Sequence, residues 1–329
     1  MKILVTGGTG FTGKNLVEYL LKNDESVRVI VRDKSKLGEL QHNENLDVRV
    51  GNIYDEEVVS SAMKGIEKVF HVAAIYRTSG IPDQVYWDTH VKATELLMEA
   101  ALKENVKIFV HTSTVGVHGD VGNGEAANEN SPFSPGDIYQ VTKLEAEKKV
   151  HKFHKEKGLP ISVIRPTAIY GPGDLRLLKL FKIAKHKISP ILGRGKIKYH
   201  MVYIDDLIQG FILASEKKEA IGEAFIIGGK EVLSLNELLE TIGKIFNKSI
   251  HKINLPAKPF QILGTIMEKI FIPLGISPPI YRRRVDFFTK SRVFDISKAQ
   301  NLLGYKPNTS LYVGLKKTAD WYKQQGHLA

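Results

Sequence analysis

Eight residues near the amino terminus, Thr6-Gly7-Gly8-Thr9-Gly10-Phe11-Thr12-Gly13, restrict this chain more than any others. They follow a β-branched run over residues 2–6 and open a stretch in which Leu16, Leu20 and Leu21 recur at helical spacing. Strand, glycine turn and helix in that order favour a phosphate guest. Glycines permit the tight turn and let the backbone approach a pyrophosphate, while free N–H groups and the helix dipole attract the negative charge. A dinucleotide-binding unit is therefore expected at the start of the chain.

The rest of the pattern agrees. Short β-branched runs at 2–6, 27–31, 47–50, 68–72, 107–112, 161–165 and 224–227 alternate with helical segments, among them Leu96, Leu97 and Ala100, then Leu144, Val150 and Phe153. Such alternation predicts an α/β fold, a doubly wound parallel sheet covered by helices on both faces. Ligands of these sheets bind at the carboxyl edge of the strands. After Gly171-Pro172-Gly173 the pattern loosens, and a smaller C-terminal region is expected to pack over that edge. At 329 residues the chain is long enough for both parts.

Composition excludes several classes. The chain has no cysteine, so it has no disulfide framework, thiolate metal site or cysteine nucleophile. Lys+Arg 47 against Asp+Glu 36 leaves a net charge of +11, but the lysines are scattered along helices rather than gathered into a tract interleaved with aromatics. No nucleic-acid partner is expected. The first residues lack the charged, apolar and cleavage regions of a signal peptide, so the expected location is cytoplasmic. The most apolar later stretch, 259–280, is broken by Glu268, Lys269 and prolines, short of the roughly 20 apolar residues of a spanning helix. His151 and His154 stand three apart in a basic stretch with no third ligand, and no metal is expected.

Tyr139-Gln140-Val141-Thr142-Lys143 lies in a helical pattern over 137–157, where a spacing of four places both side chains on one face. An ammonium beside a phenol favours the phenolate and lowers its pKa from about 10, which suits a proton shuttle. Thr112-Ser113-Thr114 places hydroxyls at the carboxyl end of the fifth strand, where a substrate oxygen would lie.

These residues resemble the extended short-chain dehydrogenase/reductase superfamily, over essentially the whole chain. The family's Thr-Gly-x-x-Gly-x-x-Gly turn matches Thr6 through Gly13, its Tyr-x-x-x-Lys matches Tyr139 and Lys143, and its catalytic Ser/Thr matches Thr114. Its Arg-Pro-x-x-x-Tyr-Gly-Pro stands at 165–172, and a late signature ending in Leu-Gly-Tyr-x-Pro at 295–307. The resemblance implies a Rossmann domain over 1–172, joined by a strand and helix from within 200–228, with 173–329 mostly forming the substrate-binding region and C-terminal helices. It implies Thr114, Tyr139 and Lys143 as catalytic residues. Cofactor contacts carried over are Gly7, Thr9, Gly10, Phe11, Thr12, Gly13, Arg32, Lys36, Asn52, Ile53, Ala73, Ala74, Thr112, Tyr139, Lys143, Pro166 and Ile169.

Cofactor choice turns on the end of the second strand. The NAD-type acid position falls on Val31, and Arg32 with Lys34 or Lys36 offers a clamp for a 2′-phosphate, so NADP(H) is favoured. In the counter-reading Asp33 is the NAD acid and Arg32 lies on adenine. Two positions depart from the family. His90 stands where relatives carry Asn, as a substitute donor or a satisfied structural histidine, and Asn52 replaces an Asp facing adenine. Asp205-Asp206 are read as first-turn caps.

The reaction expected is interconversion of a secondary alcohol and a ketone, with nucleotide-sugar epimerisation or dehydration as the alternative and a non-catalytic dinucleotide sensor as a third reading. Ala168 stands where sugar-nucleotide enzymes of this family carry Asn, which points to a largely apolar or cyclic small-molecule substrate. Phe260, Leu263, Met267, Ile270, Phe271 and Leu274 recur at helical spacing. They read as core packing, as an apolar lid, or as a shallow peripheral membrane contact assisted by Arg282-Arg283-Arg284. The features are similar to the 3β-hydroxysteroid-dehydrogenase and dihydroflavonol-reductase branch. A homodimer is compatible with this reading.

Overall fold

The computed structural model describes residues 2–328 apart from 79, 122–125, 187, 272, 273, 275, 277, 280–284 and 286–290. The strands are β1 (Lys2–Thr6), β2 (Ser26–Val31), β3 (Leu46–Val50), β4 (Lys68–His71), β5 (Ile108–Thr112) and β6 (Ile161–Pro166). They continue as β7 (Ala168–Tyr170), β8 (Ile188–Leu192), β9 (Lys198–Tyr203), β10 (Ala224–Ile227), β11 (Val232–Ser234) and β12 (His251–Leu255). The helices are α1 (Phe11–Lys22), α2 (Glu56–Met63), α3 (Asp83–Trp87), α4 (Ala93–Lys103) and α5 (Ile138–Lys157). After them come α6 (Leu178–Ala184), α7 (Ile204–Glu216), α8 (Leu235–Ile245), α9 (Ala257–Phe271) and α10 (Leu311–Gln324).

Seven strands form one parallel sheet in the order β10-β6-β5-β4-β1-β2-β3. All seven runs expected from the sequence are in it. Their near-continuous apolar character has a simple cause, because both faces are covered. Ile3 and Val5 of β1 point into one core with Leu16 and Val17 of α1 and Leu207 and Phe211 of α7. Leu4, between them, points into a second core with Val59, Leu97, Val150 and Phe153 from α2, α4 and α5. A strand alternates its side chains between faces, so a strand buried on both sides reads as apolar throughout. The order of connection reverses between β1 and β4, which makes the carboxyl edge there the switch-point crevice.

The later strands form two further, smaller sheets. One small sheet has the order β11-β9-β7, and β12 pairs in parallel with β8. The late signature anchors this region. The Tyr305 hydroxyl donates to the Gly228 carbonyl over 2.9 Å, and the buried Asp206 carboxylate accepts from the N–H groups of Asn308 at 3.0 Å and Thr309 at 3.2 Å. Asp206 is thus structural, although its work is to hold the C-terminal segment. The Tyr322 hydroxyl of α10 donates to the Asp174 carbonyl over 2.5 Å.

Helix α9 divides the apolar stripe expected of it. Phe260, Met267 and Phe271 are half-buried and Gly264 is buried, whereas Ile262, Leu263, Ile266 and Ile270 are exposed. Arg282, Arg283 and Arg284 lie outside the described residues. Among the described residues no helix is long and apolar enough to cross a membrane, and no cluster of His, Asp and Glu suits a metal ion.

Candidate active site

The glycine turn closes over the end of β4. Gly7 has φ +78°, and a Cβ there would lie 2.8 Å from the backbone N and Cα of Ala73. A Cβ on Gly13 would lie 2.1 Å from the Gly7 carbonyl oxygen, so α1 packs on the turn more closely than any side chain allows. No side chain caps α1 at Gly10 and its first turn has no acid, which leaves the amide groups of Phe11, Thr12 and Gly13 facing the crevice as donors for a phosphate. Thr9, Asn52 and Ile53 are half-buried, Ala73 is buried and Ala74 is exposed. These features fit a dinucleotide.

At the end of β2, Asp33 is occupied locally. Its carboxylate accepts from the Ser35 N–H at 3.0 Å and the Ser35 hydroxyl at 2.6 Å, capping the short 3-10 segment Lys34–His42, and these bonds hold it below the usual carboxylate range. Arg32 and Lys36 are exposed beside it. Arg32 has no hydrogen-bond or ion-pair partner among the described residues.

Helix α5 begins at Asp137, whose side chain caps it by accepting from Gln140 N–H at 2.9 Å. One turn in, Tyr139 and Lys143 are both buried. Burial pushes the Tyr139 phenol up to about 12, with Tyr76 adding to the rise. Opposing it are Arg77, the nearby Thr114 side chain, and Arg176. Thr114 caps the turn that follows β5 by accepting from Gly116 N–H at 3.0 Å. The chief cations facing the phenol are therefore arginines from two loops rather than the neighbouring lysine. Burial lowers Lys143 itself to about 8.

The charge that sustains Lys143 is one turn further along α5 and escaped the sequence reading. Glu147 raises Lys143, and although burial opposes its own ionisation, His151 and Arg165 hold its carboxyl at about 2. The Arg165 Nε donates to Glu147 Oε1 at 3.0 Å and its Nη2 forms a shorter bond to the same oxygen, while Nη1 donates to the Glu129 carbonyl at 2.9 Å. The arginine of Arg-Pro-x-x-x-Tyr-Gly-Pro thus braces α5 from β6. Pro166 ends that strand buried, and Ile169 on β7 is half-buried with its carbonyl accepting from Arg176. Thr112 ends β5 with its Oγ1 buried and without a hydrogen bond among the described residues.

His90 stands in a π turn, Asp88–Lys92, that joins α3 to α4. Its Nε2 accepts from the Ile75 N–H at 3.0 Å, so the proton is on Nδ1, which donates to Thr142 Oγ1 at 2.8 Å. The Thr142 hydroxyl then donates to the Ile138 carbonyl at 2.8 Å. Of the two readings, the satisfied structural histidine is the one observed. A second chain starts at the glycine turn. Thr6 Oγ1 bonds His71 Nδ1 at 2.7 Å, His71 Nε2 bonds Thr94 Oγ1 at 2.9 Å, and Thr94 donates to the His90 carbonyl at 2.5 Å. Burial, reinforced by Lys143, holds His71 at about 3 and His90 at about 2, so both are neutral.

The NAD dependent epimerase/dehydratase family model matches residues 3–228. The 3 beta-hydroxysteroid dehydrogenase/Delta 5-->4-isomerase of Mycobacterium tuberculosis is 30% identical over 336 residues, covering 98% of this chain and 90% of that protein. A putative dihydroflavonol 4-reductase of Synechocystis is 28% identical, covering 98% and 95%. Among solved structures, UDP-glucuronic acid 4-epimerase from Bacillus cereus in complex with NAD superposes with a TM-score of 0.79 at 31% identity, covering 99% of both chains. A glycine turn at the switch point, a buried Tyr139 and Lys143 on one helix, and a family match across the whole sheet place this chain in the NAD dependent epimerase/dehydratase family, among the extended short-chain dehydrogenase/reductase enzymes.

Proposed function

We propose that the protein interconverts a secondary alcohol and a ketone on a largely apolar or cyclic small molecule. The observation that carries this reading is Tyr139 and Lys143 buried together one turn apart on the same helix. Residues Gly7 to Gly13 would hold the dinucleotide's phosphates, Asn52, Ile53, Ala73 and Ala74 its adenosine half, and Tyr139, Lys143, Thr112, Pro166 and Ile169 its nicotinamide half. When bound, that group supplies or accepts the hydride. Thr114 orients the substrate oxygen. Tyr139, protonated at neutral pH because burial raises it to about 12, donates its proton to the ketone oxygen and takes it back in the reverse direction.

NADP(H) is the proposed preference, supported by the unpaired Arg32 and by Asp33 being engaged with Ser35. An apolar substrate is supported by Ala168, exposed on β7 where sugar-nucleotide relatives carry Asn, and by the apolar side chains of α9. The exposed Ile262, Ile266 and Ile270 would also make any shallow membrane contact. The second reading, epimerisation or dehydration without net redox, is favoured by the likeness to the UDP-glucuronic acid 4-epimerase structure.

Incubation with steroid, terpenoid and flavonoid-like alcohols and with UDP- and dTDP-sugars, followed by nicotinamide absorbance and product analysis, separates the readings. Net reduction or oxidation supports the dehydrogenase, and product without net change supports the epimerase. Tyr139→Phe should cut turnover by about a thousandfold or more with cofactor affinity retained, since proton transfer of this kind contributes roughly 10²–10⁴-fold. Near-normal turnover in that variant would remove Tyr139 from the role.

A further inference from the structure

We propose that Arg77 and Arg176 form an anion-binding pair at the mouth of the Tyr139 cleft, and that the substrate carries a carboxylate or phosphate near its reacting carbon. The inference rests on the reading of Tyr139 as the proton-transfer residue and names the class of molecule that the same site accepts.

The two arginines come from separate loops, one after a strand of the seven-stranded sheet and one after a strand of the small β11-β9-β7 sheet. Arg77 follows β4 and Arg176 follows β7. Their guanidinium carbons each lie 5.5 Å from the centre of the Tyr76 ring. Arg77 is also 5.7 Å from the ring centre of Tyr139, and Arg176 is 5.8 Å from that of Phe11 at the start of α1. Tyr76 packs edge-on against Tyr139 with ring centres 5.1 Å apart. The pair therefore brackets the entrance between the phenol and the glycine turn.

Each guanidinium is held in place and left with capacity. Arg77 Nε donates to Asp137 at 2.7 Å and Nη1 to the Tyr76 hydroxyl at 3.3 Å. Arg176 Nε donates to Asp174 at 2.7 Å and Nη2 to the Ile169 carbonyl at 2.9 Å. Nη2 of Arg77 and Nη1 of Arg176 have no partner among the described residues. An arginine anchored through Nε and one Nη keeps its other Nη in a fixed direction, which suits an oxyanion better than a flexible lysine would. Both side chains reach solvent, at 30% and 43% exposure.

Charge balance points the same way. Asp137 and Asp174 offset the two arginines, and Glu147 is already shared with Arg165, so Lys143 leaves the surroundings of Tyr139 with an excess of positive charge. Arg77 also has φ +31°, a left-handed conformation uncommon for a residue with a side chain, and such strain persists where surrounding contacts over-determine it, often at ligand clamps.

The test measures binding rather than turnover, with two matched pairs of probes on enzyme saturated with reduced cofactor. The pairs are UDP-glucuronic acid with UDP-glucose, and 2-hydroxycyclohexanecarboxylate with its methyl ester. In at least one pair the acid should bind about tenfold more tightly than its neutral partner, the value of one charge-assisted contact. Arg77→Gln and Arg176→Gln should bring that ratio to about twofold or less, with NAD(P)H affinity unchanged. Tyr139→Phe should keep the ratio, so failure of the proton-transfer reading and failure of this one are separable. Equal affinity within both pairs for the unsubstituted enzyme overturns the proposal, with no variant needed. A ratio that survives both arginine substitutions also overturns it. Weakened NAD(P)H binding in those variants with the ratio intact would assign the pair to the cofactor's phosphates instead.

Discussion

The Nδ1–H of His90 donates to Thr142 Oγ1 across 2.8 Å, tying the π turn between α3 and α4 to the helix that carries Tyr139 and Lys143. Because His90 Nε2 also accepts from Ile75 N–H, one imidazole sets the spacing between α5 and the loop of Tyr76 and Arg77. His90→Ala should cost about 2–4 kcal/mol, from the cavity and the orphaned Ile75 amide. Turnover should fall by about tenfold or more as Tyr139 moves. His90→Asn, with an acceptor and a donor arm, should recover part of both. Urea unfolding and steady-state kinetics on the three proteins check this.

Acid stability should reflect the buried imidazoles. His71, His90 and His111 are held neutral in the folded protein, with Lys143 opposing their protonation, while an unfolded chain protonates them near 6.5. Below that pH the unfolded state binds more protons, so stability present above 6.5 is lost as pH falls toward the folded values of about 3 for His71 and about 2 for His90. Each contributes a slope of up to about 1.4 kcal/mol per pH unit. Thermal midpoints between pH 8 and pH 5 measure the total.

His111 tests that account independently. It is fully buried on β5 with neither ring nitrogen hydrogen-bonded among the described residues. His111→Leu should leave the midpoint at pH 7 unchanged or higher, since an unsatisfied polar group is replaced by an apolar one of similar size. The acid slope should become shallower by one histidine's share. A large loss of stability at pH 7 would show that the imidazole has a polar role.

Glu147→Gln removes the anion that supports both Arg165 and Lys143. Breaking a buried pair from one side typically costs about 3–5 kcal/mol. With its supporting charge gone, Lys143 should lose its proton below its present value of about 8, and the pH profile of turnover should shift the same way. The profile distinguishes this from simple destabilisation, which would lower the rate without moving its midpoint.

Arg32→Ala should weaken NADPH binding by about 1.5–3 kcal/mol and NADH binding much less. Fluorescence titration with each reduced cofactor measures the difference. Equal affinities in the unsubstituted protein would favour Asp33 and NAD.

What the sequence determined by itself was everything with a local signature. The glycine turn, the seven buried strands, and Tyr139 with Lys143 on one helical face follow from spacings of two, three and four residues, which the backbone converts directly into direction. The exposed half of α9 is less legible, because one apolar stripe serves equally for packing and for display until its neighbours are placed. Glu147–Arg165 joins residues 18 positions apart, His90–Thr142 spans 52 and Arg77–Asp137 spans 60. Each reads on its own as an ordinary polar residue. Only the tertiary structure brings them together, because the order and register of the sheet decide which helix faces which strand, and burial then decides which charges matter. That is why Tyr139 and Lys143 were readable in the chain as a pair, while the cations that face the phenol and the anion that sustains the lysine were not.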